Sequence, residues 1–178
     1  MHSMDNNYVS KLLPLMAEAE ITAIANPLIN ITIQGRHDTY PKRRGLTRVK
    51  EMNAMGINVA LGHECVMDPW YSLGSHDMLE VAHMAVHVGL MTGMDQMRAM
   101  FDAVTINSAK VMHLKGYGLE PGCNADLVVL QARDKVEAIR LRPARLVVIR
   151  RGQIISRTSP VSAQLDLGGD KHQVSFQK

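Results

Sequence analysis

Two short, mostly apolar runs, Ile21-Thr22-Ala23-Ile24-Ala25 and Ile57-Asn58-Val59-Ala60-Leu61-Gly62, each follow a stretch with helical spacing. A strand with one wet face alternates apolar and polar residues, whereas a continuously apolar strand must be covered on both faces. Parallel sheets layered with helices provide that cover. The first preceding helix is expected from Tyr8 to Ala19, with Val9, Leu12, Leu13 and Met16 on one side. The second is expected from Thr47 to Ala54 and is ended by Gly56. Between the two units, Asn26-Pro27 through Tyr40-Pro41 holds the turn residues Gly35 and Asp38 without sustained periodicity and reads as a long connection.

After the second strand the chain breaks at Asp68-Pro69-Trp70, and Ser75 is placed to cap a helix from about His76 to Met91. Helices are expected at Asp95–Val104 and Ser108–His113. Beyond Leu114 the glycines Gly116, Gly118 and Gly122 punctuate a loop, and Leu127–Leu130 and Leu146–Ile149 read as strands. Arg151-Gly152-Gln153 then makes a tight hairpin into Ile154-Ile155. These changes put a boundary near Lys115, dividing the chain into domains 1–115 and 116–178, with a polar tail from Thr158 that is expected to be partly extended or loose.

Composition narrows the function classes. No run approaches the roughly 18 apolar residues that span a bilayer, and the first five residues have no leader-like character, so a cytoplasmic protein without a membrane role is expected. Cys65 and Cys123 lack the paired spacing of a disulfide framework or a zinc knuckle. A net charge of +3 with 4% aromatic residues argues against nucleic acid as a partner. The basic residues concentrate in Lys42-Arg43-Arg44 and between Arg140 and Arg151, without stacking platforms. The thirteen methionines sit mainly among Ala, Val and Leu and read as core filling.

The sharpest chemical feature is Gly62-His63-Glu64 at the carboxyl end of the second strand, followed by Cys65 and the Asp68-Pro69-Trp70 loop. Reacting groups in parallel α/β folds gather at that end, and an acid there can bind a metal or move a proton. A chance His-Glu pair in a surface loop is the bland alternative. His83 and His87 share a helix face with Glu80, but the glutamate does not directly follow the first histidine as in zinc proteases. Without a third ligand they read as ordinary helix histidines, as do His37 and His76 in their loops. The loop Gln34–Gly45 is long enough to be functional or interfacial; a solvated charge run is the equal alternative.

Several segments together carry a resemblance. They are Ala25-Asn26-Pro27-Leu28-Ile29-Asn30-Ile31, Gln34-Gly35-Arg36, Asp38-Thr39-Tyr40-Pro41-Lys42-Arg43-Arg44-Gly45, and Gly62-His63 with Asp68-Pro69-Trp70-Tyr71. In order and spacing they resemble the bacterial cytosine deaminases of the amidohydrolase superfamily. Thr105-Ile106-Asn107-Ser108-Ala109-Lys110, Gly118-Leu119-Glu120-Pro121-Gly122 with Ala125-Asp126-Leu127-Val128-Val129, and Val147–Gln153 are similar to the superfamily's general ending.

The resemblance implies an α/β fold: the C-terminal part of a (β/α)8, or TIM, barrel followed by part of a small β-sandwich. It implies hydrolysis of cytosine to uracil and ammonia by a water bound to one divalent metal, iron or zinc. Glu64 stands where the family's last metal ligand and catalytic acid would be, Cys65 where a substrate neighbour would be, and Trp70 where a wall of the flat pyrimidine pocket would be. The family position is normally aspartate, so the longer Glu64 must retract or shift the metal, and a misplacement of about 1 Å can cost roughly 100-fold in rate. The family's His-x-His pair, further metal histidine and proton-shuttling glutamate have no counterpart in this sequence. The chain alone is therefore expected to be inactive, not to retain the metal, and to form a homo-oligomer or be poorly soluble. A deaminase for another cyclic amidine, such as isoguanine or creatinine, and a non-catalytic truncated paralogue are the alternatives.

Overall fold

In a computed structural model, which describes residues 1–43 and 45–175, contacts divide the chain into two compact units, Met1–Leu114 and Lys115–Lys178. Arg44, the last residue of the first basic cluster, lies outside the described residues. The first unit runs α1 (Asn6–Glu18), β1 (Ala23–Ala25), α2 (Pro27–Ile33), α3 (Val49–Ala54), β2 (Val59–Leu61), α4 (Met78–Val88), α5 (Met94–Ala103) and α6 (Ile106–Val111). Asp5 caps α1 by accepting the backbone N–H groups of Asn7 and Tyr8, and Val9 and Leu13 form its buried stripe.

The apolar runs pair as a parallel ladder, with Ala23 opposite Val59 and Ala25 opposite Leu61. All of β2 is buried, and α3, α5 and α6 pack at it. The carbonyl of Val59 accepts a 2.9 Å bond from Asn107 Nδ2 at the start of α6, satisfying a buried acceptor that the β1 ladder does not reach. Asn58 Nδ2 in turn donates to Asn107 O at 3.3 Å, so the Asn107 segment is fastened to β2 from both sides. No helix among the described residues is long and apolar enough to cross a membrane.

Two expectations need correction in this unit. The supposed connection after β1 begins with α2, whose Pro27 occupies the first turn, where its missing N–H has no partner to lose. Pro27, Leu28 and Ile29 are buried, so packing outweighs the modest helix propensity of Pro-Leu-Ile-Asn-Ile-Thr-Ile. The cap of α4 is Asp77, which accepts the Leu79 N–H at 2.8 Å. Ser75 instead donates to Glu80 Oε2 at 2.8 Å, because left-handed His76 (φ 58°) turns the chain between them.

The second unit contains β3 (Leu127–Leu130), α7 (Lys135–Leu141), β4 (Arg145–Arg150), β5 (Gln153–Arg157), β6 (Ala163–Leu167) and β7 (Asp170–Val174). The first three strands form an antiparallel sheet in the order β3-β4-β5. Arg151 and Gly152, with φ of 48° and 77°, make the two-residue turn between β4 and β5. Helix α7, which lies between the two expected strands, was not anticipated from the sequence: Asp134 caps the Val136 and Glu137 N–H groups, and Ile139 is buried. The tail is partly extended, as expected, and it is tied down. Gln131 brackets Val161 with two hydrogen bonds of 2.8 and 2.9 Å, and β6 and β7 then close an exposed hairpin through Gly168 and Gly169.

Candidate active site

Strand β2 is buried throughout, and the chain stays buried at His63, two residues past its end, at 8% exposure, whereas Ile24 of β1 is 54% exposed. Nδ1 of His63 lies 2.9 Å from the carbonyl of Cys65, and its ring neighbours are Tyr71 and His76, with centroids at 6.2 and 6.1 Å. Glu64 is exposed, at the tip of β2, on a left-handed backbone with φ 65°. Non-glycine residues adopt that conformation infrequently, and it turns the acid away from the direction of its neighbour. Oε2 of Glu64 accepts a hydrogen bond from Nδ2 of Asn26, the first residue after β1.

Asp68 organises the following loop, a role the sequence reading passed over although its Asp-Pro turn signal was visible. Oδ1 of Asp68 accepts the backbone N–H groups of Trp70 at 2.9 Å and Tyr71 at 2.8 Å, and the Cys65 thiol donates to its carboxylate. The thiol and these two N–H groups hold the Asp68 carboxyl below the usual carboxylate range. The same bond, with desolvation and the negative charges of Asp68 and Glu64, pushes the Cys65 thiol up to about 11. Burial raises the Tyr71 phenol, with Glu80 adding to the effect. Trp70 is 67% exposed.

Cys65 is thus a protonated hydrogen-bond donor rather than a nucleophile. In a Cys123→Ser background its alkylation by iodoacetamide at about pH 8 should run about 10- to 100-fold slower than that of an unperturbed thiol, and Asp68→Asn should recover most of the difference. A rate equal to that of free cysteine would place the thiol away from Asp68.

The remaining candidates do not converge. Glu80 binds Ser75, while the His83 and His87 rings lie 4.4 Å apart and His87 Nδ1 is bonded to the His83 carbonyl at 2.8 Å. His37 is exposed in a loop that Asp38 and Arg43 close with two bonds of 2.5 and 2.7 Å. Among the described residues no three His, Cys, Asp or Glu side chains gather in a way that could hold a metal ion.

Residues 2–156 match the Amidohydrolase family. The chain is 40% identical to the 5-methylcytosine deaminase from Klebsiella pneumoniae, solved with 5-fluorocytosine, over 89% of this chain and 39% of that one, with a TM-score of 0.86. It is 32% identical to the pterin deaminase of Rhizobium rhizogenes over 91% of its own length and 37% of that protein's. The corresponding figures for the N-isopropylammelide isopropyl amidohydrolase of Pseudomonas sp. (strain ADP) are 33%, 61% and 27%. The chain thus spans well under half the length of these relatives.

Proposed function

This chain is a member of the amidohydrolase family, and on that premise we propose that it forms part of a hydrolytic deaminase converting cytosine and water to uracil and ammonia. The observation that carries the reading is Glu64: an exposed carboxylate at the carboxyl end of one parallel strand, beside the carboxyl end of its neighbour. A divalent metal supplies, when bound, a lowered pKa for its water. The described side chains do not make a complete site for one. The iron or zinc expected from the resemblance would draw its other ligands from outside these residues.

The chain's own contribution is narrower. Glu64 offers a carboxylate oxygen as a ligand or as a proton acceptor. The loop centred on Asp68 presents the Trp70 indole, whose exposed surface can cover one face of a flat heterocycle. Association belongs to the same reading: Ile21 and Ile24, 47% and 54% exposed along and beside β1, leave apolar surface that favours a partner, including a second copy.

A second reading, deamination of another cyclic amidine, is favoured by the pterin deaminase likeness and by the Glu64-Cys65 pair. Both are tested in a fusion of this chain to the part of the Klebsiella pneumoniae 5-methylcytosine deaminase outside the match. Ammonia release from cytosine is expected to exceed that from isoguanine, creatinine or a pterin. A preference for one of the latter would move the assignment to that substrate, and turnover of none would remove it.

A further inference from the structure

Asn26 and Glu64 are 38 positions apart in sequence, and only the register of β1 against β2 brings them together. One step beyond the last ladder pair, Gly62 N donates to Ala25 O at 3.0 Å. A Cβ on Gly62 would land on Asn26 Oδ1 and lie 3.5 Å from Asn26 Cγ, so the amide fills the space the glycine leaves. Asparagine is also a favoured helix cap, and Asn26 stands at the N-cap of α2, yet its side chain makes no capping bond. That side chain is committed to Glu64.

We propose that Asn26 is a positioning residue that holds the carboxylate of Glu64 back toward the end of β1, taking up the extra methylene that distinguishes this acid from aspartate. Its importance for turnover rests on the reading of Glu64 as the site acid; the contact does not. Gly62 belongs to the same device, because any side chain there would push the amide off the acid.

The test follows the side-chain amide at position 26 by NMR in the ¹⁵N-labelled full chain. Glu64→Asp is expected to shift that signal toward a non-bonded position, and the combined Asn26→Gln and Glu64→Asp change, which moves one methylene from one partner to the other, to bring it back. Glu51→Gln should leave it unchanged. A purely packing role for Asn26 would not be rescued in this way. In urea unfolding, the effects of Asn26→Ala and Glu64→Ala should be non-additive by at least about 3-fold in the unfolding constant. An amide signal indifferent to Glu64, or additive unfolding effects, would overturn the proposal. Neither readout involves turnover, so a fusion that fails to deaminate leaves this contact standing, and one that deaminates while the amide ignores Glu64 sinks only the positioning role.

Discussion

Glu64→Gln, introduced into the fusion that completes the enzyme, is expected to lower kcat/KM for cytosine by about 10²- to 10⁴-fold, the usual worth of a positioned proton-transfer group. Glutamine has the size of glutamate and keeps an oxygen that can accept from Asn26 Nδ2, so the fold around the tip of β2 should survive. What disappears is the negative charge and the capacity to take a proton. Glu80→Gln is the matched control, since Glu80 is an acid on α4 that accepts from Ser75 and does not belong to the Asn26–Glu64 pair. Steady-state rates for the two variants check the assignment. Equal, small losses would show that Glu64 is one more surface carboxylate.

The second large effect concerns stability. Met52 in α3 is fully buried, and its carbonyl accepts the Ile57 N–H at 3.1 Å just before β2. Met52→Ala would leave a cavity in the helix layer that covers the strand, at a cost of about 2–5 kcal/mol. Met112, 60% exposed, should cost no more than about 0.5 kcal/mol when changed to Ala. Urea unfolding curves of the two variants compare them directly. Since whole domains are stable by only about 5–15 kcal/mol, the Met52 variant should melt at a visibly lower denaturant midpoint. A loss below about 1 kcal/mol would mean that the site collapses around the missing side chain.

The β1 and β2 runs were legible because neither carries polar alternation; β2 is buried on both faces, as that pattern implies, whereas Ile24 leaves one face of β1 open. Helices α1 and α5 were equally plain in their periodicity. Helix α2 was hidden because Asn-Pro reads as a turn and β-branched residues read as strand; only its buried Pro27, Leu28 and Ile29 decide the matter. Helix α7 did carry a signal, an aspartate three positions before a glutamate, and Glu137 indeed accepts the Arg133 N–H at 2.7 Å. Ser75 and Asp77 were both competent caps, and a left-handed residue between them selected the second.

At the site, Glu64 could be singled out from its place after a strand, but its partner could not. The Asn26–Glu64 bond depends on strand register, which no local spacing encodes. Cys65 and Trp70 were noticed as neighbours of the acid, whereas the residue that connects them, Asp68, looked like part of a turn.

The most direct test of the central claim, that this chain brings one acid to a site completed from elsewhere, is ammonia release from cytosine in the presence of added iron or zinc. It is measured side by side for the 178-residue chain and for the fusion. No release from the chain and sustained release from the fusion is the expected result. Metal-dependent turnover by a monomer of the chain alone would contradict it.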